Sequence, residues 1–312
     1  MITITKHLRK FAAIYGYAIS MFRFWHVSYF EYKQFPKFKF TSIKHLTANL
    51  LYGNFFAISK LSESGFNPFL DFSEHGIVFS ESLQNIETFN MAKMRNIYTF
   101  SQRRKKIIEN YLKSKGIKKN VYAVGPYIIG ANNFYNDRKR LELKKKYGRI
   151  LLCFPAHSIY EVKNIFDYNE FIASIDKVSM HFDSIFICLH LLDIGGPIEK
   201  LCKQKGYVIV SNGCPYDCRF LSRQKDLMQL ADMTMSNSLG THIGYSIALG
   251  TPFYYVPQAI TNISTSSEKQ NEHEKIEKVK KDELSHVVEE LFGRFSFEIT
   301  SEQMDFVNTY WK

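Results

Sequence analysis

The chain has 312 residues, enough to bury a substantial core and to hold two domains. A hydrophobic content of 45%, rich in Phe and Tyr, excludes a disordered chain. The formal net charge of +11 suits an anionic partner: nucleic acid, a membrane surface or a phosphorylated substrate.

Basic residues cluster at 6–10, 103–106, 113–119 and 138–149. The largely apolar stretch 11–22 follows Lys6, Arg9 and Lys10 but lacks a small-residue cleavage site and is too short to span a bilayer. It reads as a helix, either in the core or at an interface where the flanking cations meet lipid head groups. Residues 41–62 read as helix, and Gly76-Ile77-Val78-Phe79 as a strand fragment. A strand at 96–100 precedes a basic helix at 101–115, for which Ser101 is the N-cap. The strand 120–124 then runs into Gly125-Pro126, a turn at which the chain can change domain.

The second half is more regular. Strands are expected at 149–154, 184–190 and 207–210, and helices at 165–180, 196–204 and 225–231. This alternation argues for a parallel, doubly wound sheet. After it, 233–257 reads as a strand, a turn of small residues (Ser236, Asn237, Ser238, Gly240, Thr241), a short helix, a stop at Gly250 and Pro252, and a further strand. Residues 268–293 form a charged amphipathic helix. Ligands of such sheets bind beyond the carboxyl ends of strands, where the polar segments 155–158, 211–219 and 236–242 fall.

The small-residue turn leaves N–H groups and hydroxyls at a helix start, which suits phosphate but also serves as an ordinary α/β connection. His157 and Ser158 follow a strand end and could meet a phosphate or ribose. Arg219 and Arg223 flank a turn-to-helix junction, where they could neutralise a diphosphate or simply face solvent. Glu74 and His75 stand beside Gly76, and either could act as a general base. The five cysteines show no CxxC pair. Cys202, Cys214 and Cys218 raise a metal site only weakly, so free thiols of a reducing cytosol are the better reading. No GxxxxGK[ST], GxSxG, HExxH or early GxGxxG occurs, which disfavours P-loop nucleotidases, serine hydrolases, zincins and nicotinamide dehydrogenases.

Taken in order, the segments resemble the GT-B superfamily of glycosyltransferases, particularly bacterial enzymes of capsule and lipopolysaccharide synthesis. The run 97–101 followed by Val124-Gly125-Pro126-Tyr127 is similar to that family's end of the acceptor domain. Phe154-Pro155-Ala156-His157-Ser158 is similar to its His-Pro motif, and Ser236-Asn237-Ser238-Leu239-Gly240-Thr241 to its donor-phosphate motif. Glu74-His75-Gly76 resembles the acidic-acidic-glycine motif of bacterial sialyltransferases and the His-Gly of glycerophosphate-polymer transferases.

The resemblance implies an α/β, GT-B-like fold of two Rossmann-like domains facing across a cleft, the N-terminal one abbreviated. Residues 1–126 would bind the acceptor and 127–293 the nucleotide-sugar donor, with 294–312 a C-terminal helix packing back on the first domain. His75 or Glu74 would be the base. His157, Ser158, Arg219, Ser236, Ser238, Gly240, Thr241 and His242 would hold the donor, with no metal and no other cofactor. The acceptor would be a glycan or lipid-linked glycan at the inner face of the cytoplasmic membrane, touched peripherally through the basic face, with no nucleic-acid partner. Because His157 is followed by Ser rather than Pro, the donor nucleotide stays open. Rivals are a same-fold epimerase or glycerophosphate-type transferase and a basic nucleic-acid-binding protein; no recognisable nucleic-acid module supports the last.

Overall fold

The computed structural model describes residues 24–35, 49–83, 86, 94–158, 162–264 and 272–312. The basic cluster 6–10, the apolar stretch 11–22, residues 41–48 and residues 268–271 of the expected helices lie outside them. Helix α1 (Asn54–Leu61) is the described end of the helix expected at 41–62. It does not continue smoothly from the residues before it, because Tyr52 (φ 61) and Gly53 (φ 72) take left-handed backbone. A Cβ at position 53 would lie 2.2 Å from the Cys218 carbonyl oxygen, so only glycine permits this approach.

Strands β1 (Phe72–Ser73), β2 (Asn96–Thr99) and β3 (Asn120–Ala123) form a small parallel sheet in that order. Helix α2 (Gln102–Ser114) makes the crossover between the last two, and the Ser101 hydroxyl accepts from the Arg104 N–H at 3.2 Å as its cap. The strand expected at 76–79 lies instead at 72–73. Gly76 turns at φ 72, and the N–H groups of Ile77, Phe79 and Ser80 are bonded to side chains rather than to a neighbouring strand.

Helix α3 (Asp137–Tyr147) leads into the second unit. Its chain order is β4 (Ile150–Phe154), β5 (Val162–Ile165), α4 (Tyr168–Ser179), β6 (Ser184–Cys188), α5 (Pro197–Gln204), β7 (Val208–Val210), α6 (Phe220–Leu230), β8 (Met233–Ser236), α7 (Thr241–Ala248), β9 (Phe253–Tyr255) and β10 (Thr261–Ser264). Five strands pair in parallel in the order β7-β6-β4-β8-β9, while β5 and β10 form a separate antiparallel ribbon. Counted within the sheet this is 3-2-1-4-5, the doubly wound order, and it reverses direction between β4 and β8. Strands β4, β7 and β9 read as continuous apolar runs because both faces are covered, and in β8 the polar Thr234 and Ser236 are buried with their hydroxyls hydrogen-bonded. Ile150 and Leu152 enter one core cluster and Leu151 and Cys153 the other. Among the described residues the chain is therefore α/β with two parallel, Rossmann-like units, the first the smaller: a GT-B-like layout.

Helices α8 (Glu272–Phe292) and α9 (Ser301–Trp311) tie the units together. The Glu277 carboxylate of α8 accepts from the Phe79 and Ser80 N–H groups at 3.1 and 3.0 Å. Trp311 of α9 is fully buried, 5.6 Å from the Phe79 ring. It packs so closely under α7 that a Cβ on Gly244 would come within 2.2 Å of the indole. The Gln102 N–H donates to the Lys312 carbonyl at 3.1 Å. Residues 24–35 pack on the second unit, where the Tyr29 and Tyr32 hydroxyls donate to Asp226 (3.3 Å) and Glu199 (2.8 Å). All five cysteines are buried and free. Among the described residues no helix is long and apolar enough to cross a membrane.

Candidate functional site

Beyond the carboxyl ends of β4, β6, β7 and β8 lies a cavity of about 340 Å³, at the point where the strand order reverses. The first unit closes it with Gly76 and Ile77, and α8 adds Lys281. His157, His190, Asn212, the turn 238–240 and the first residues of α7 are among its other lining residues, with Phe154 beside them.

Hydrogen bonds hold the β4 and β8 ends together. The Ser236 hydroxyl donates to the Phe154 carbonyl at 2.7 Å and accepts from the Ser238 N–H at 3.2 Å. Asn237 Oδ1 accepts from the Ala156 N–H at 2.7 Å, and its amide donates to Gln258 at 2.7 Å. No side chain caps α7 at Gly240, and the Ile243 N–H is spent on the Gly240 carbonyl at 3.3 Å, so the Thr241 and His242 N–H groups are the ones that can meet a ligand. The Thr241 hydroxyl accepts from the Ile77 N–H at 3.3 Å and so joins the turn to the first unit.

Three imidazoles face this cavity. His157 and His190 stack with ring centroids 4.6 Å apart and planes 27° apart, and the His242 ring stacks on Phe154 at 5.5 Å. His157 stays exposed at the mouth, yet the surrounding wall, and then Lys281, disfavour its charged form and bring it down to about 4. Burial, then His157, pushes His190 well below its ordinary value. Burial, with a smaller contribution from His157, lowers His242 to about 3. No carboxylate lines the cavity among the described residues. The site thus combines one lysine, an open helix start and three neutral imidazoles, a set of donors suited to an anion.

Five of the residues singled out in the sequence line this cavity: His157, Ser238, Gly240, Thr241 and His242. Five do not. Ser236 is fully buried and its hydroxyl is spent on Phe154. Ser158 turns towards β5 and accepts from the Asn164 N–H at 3.2 Å. Arg219 stacks on Trp25 (4.6 Å) and Phe134 (4.8 Å), donates to the Phe134 carbonyl and is not among the lining residues. Glu74 is 1% exposed, and its carboxylate accepts from Arg104 Nε (2.9 Å), Arg104 Nη2 (2.6 Å) and Thr99 Oγ1 (2.7 Å). So placed, it has no reach to a substrate hydroxyl. His75 stands just outside, next to the lining residue Gly76, with Nδ1 enclosed and without a partner among the described residues, and its basicity is lowered by burial against the opposing pull of Glu74. Arg223, likewise suggested for a diphosphate, is fully buried and paired with Asp217 at 2.7 Å.

Sequence reasoning missed His190, Asn212 as an individual residue, and Lys281. His190 follows β6 at its carboxyl end, the position rule that had marked 155–158, so its signal was present. Asn212 lies in the marked segment 211–219, and its buried Oδ1 has no partner among the described residues. Lys281 sits on a long charged helix whose sequence gives no sign of which lysine turns inward.

No protein-family model and no curated protein matches this chain. Among solved structures it is similar to the wall teichoic acid polymerase TagF, at 10% identity over 80% of this chain and 64% of that one, with a TM-score of 0.41. It is also similar to the Methanocaldococcus jannaschii UDP-GlcNAc 2-epimerase in complex with UDP-GlcNAc and UDP (13% identity, 72% of this chain, 64% of that one, TM-score 0.38). A third is Medicago truncatula UGT71G1 complexed with UDP-glucose (16% identity, 55% and 39%, TM-score 0.29). The chain spans about half the length of a variant of the teichoic acid polymerase, 48% of it.

Proposed function

We propose that the protein is a glycosyltransferase moving a sugar from a nucleotide-sugar donor to a hydroxyl of a bacterial surface glycan, capsule or lipopolysaccharide. One observation carries this reading: the cavity at the sheet's reversal point holds an uncapped helix start, Lys281 and neutral imidazoles, with no lining carboxylate among the described residues. The donor phosphates would lie on the turn 238–242, met by backbone N–H groups, Thr241 and Lys281. The nucleoside would extend towards the β6 and β7 ends, where Asn212 Oδ1 has no partner among the described residues. The acceptor would enter on the side of Gly76 and Ile77.

There His75 is the base. It takes the proton of the acceptor hydroxyl as the new bond to the anomeric carbon forms, while the bond from that carbon to the phosphate oxygen breaks. Charge on the leaving phosphate is met by the helix N–H groups and Lys281, with no metal in the reading. Exposed Lys106, Lys113 and Lys115 on and after α2 would hold the enzyme peripherally against the anionic inner leaflet of the cytoplasmic membrane.

A thermal-shift screen with UDP-, GDP-, CDP- and CMP-linked donors tests the reading. A true donor at 100 times its Kd adds about 2.7 kcal/mol of stability. At 312 residues that is a rise of about 4 °C, taking an unfolding entropy of about 2 cal/mol/K per residue. No rise with any donor sinks the reading, and an epimerised sugar formed without acceptor replaces it with the epimerase.

A further inference from the structure

His157 and His190 close the ends of neighbouring parallel strands, line one cavity and stack face to face at 4.6 Å. Stacked rings show each other their faces, so their nitrogens do not converge on a point between them. Among the described residues no three His, Cys, Asp or Glu side chains form a metal-binding group. The two rings are not equivalent. His190 Nδ1 accepts from the Leu192 N–H at 3.4 Å, which leaves its proton on Nε2 and fixes it as a neutral donor. His157 has no such bond among the described residues and stands exposed at the mouth.

Among the described residues the titratable groups lining the cavity around this pair are His242 on α7, Lys281 on α8, Cys188 on β6 and Tyr52 and Tyr245. No carboxylate among the described residues lines the cavity to hold a proton on His157, and Lys281 opposes one. An anion seated on the turn 238–242 reverses that balance, because it places negative charge beside the ring.

We propose that donor binding takes up one proton from solvent: His157 becomes imidazolium against the donor phosphates, and His190, locked as an Nε2–H donor and stacked on it, positions the ring. The proton returns to solvent when the nucleotide leaves. This rests on the donor reading above.

Isothermal titration with whichever of UDP-glucose, GDP-mannose, CDP-glycerol or CMP-N-acetylneuraminate binds provides the test. Their esterified phosphates have no second ionisation between pH 5.5 and 8, so any proton exchange belongs to the protein. Buffers of different ionisation enthalpy should report up to one proton taken up. Affinity should tighten by up to about tenfold per pH unit of acidification, the slope of one proton. His157→Gln should flatten that slope, whereas His190→Phe, which keeps an aromatic ring there, should retain it while weakening binding. Binding without proton uptake in the native chain overturns the coupling alone, as does a slope that survives His157→Gln. No binding by any of the four overturns the donor reading and the coupling with it.

Discussion

Glu74→Gln separates the two roles that a carboxylate beside His75 can have. In the structure Glu74 belongs to a buried ion pair: Arg104 is 3% exposed and reaches Glu74 at 2.6 Å, and Thr99 adds a third donor. Gln keeps the shape but removes the charge, and turns amide hydrogens towards a guanidinium. Breaking a buried pair in this way costs about 3–5 kcal/mol, because the remaining charge is left uncompensated. An unfolding entropy of about 2 cal/mol/K per residue over 312 residues converts this to a fall in Tm of about 5–8 °C. Differential scanning calorimetry measures it, and donor affinity measured below the transition should stay within about twofold of the native value. Replacing both partners by apolar residues of similar volume, Glu74→Leu with Arg104→Met, should recover at least half of the loss. A Glu74→Gln protein with native Tm and abolished transfer would refute the structural role and make the carboxylate the base.

Three further outcomes follow from the same geometry. Thr241→Val removes the acceptor of the Ile77 N–H and a hydroxyl at the helix start, so donor affinity should fall about tenfold, worth about 1–1.5 kcal/mol, in equilibrium titrations. His242 is depressed to about 3 by burial, so the unfolded chain binds its proton first and stability is lost as pH falls below the ordinary 6.5. His242→Phe should therefore lessen the loss of unfolding free energy between pH 6.5 and 5 by about 2 kcal/mol relative to the native chain, measured by urea titration at each pH. Arg219→Met should leave donor affinity within about twofold while lowering Tm, because the guanidinium lies on Trp25 and Phe134 rather than in the cleft; a tenfold loss of affinity would return Arg219 to the donor site.

The second sheet was the most legible part of the chain. Ile150 to Phe154 and the apolar run before His190 are short, continuous and bounded by polar turns, as strands covered on both faces must be. The turn at 236–242 was equally plain, since helix starts and strand ends follow local rules. What failed were the readings that depend on partners distant in sequence. Glu74 looked like a base because nothing nearby announces Arg104, 30 residues on. Arg219 and Arg223 looked like anion ligands, although distant groups engage them: Trp25 and Phe134 for the first, the Phe35 ring and the Phe24 and Val27 carbonyls for the second. Gly76 drew the expected strand four residues too late, because the side chains that bond the segment after it belong to Thr241 and Glu277. Local chemistry could be read directly; long-range pairing could not.

The indole of Trp311 beneath Gly244 has a mechanical consequence. The helix it supports starts at the anion seat, and the same ring touches Phe79 in the segment latched by Glu277 and Thr241. A gaping motion of the two halves would have to pull this rivet out and release three hydrogen bonds at once. Traffic through the cavity should therefore run along its open mouth, past His157, while the walls stay clasped.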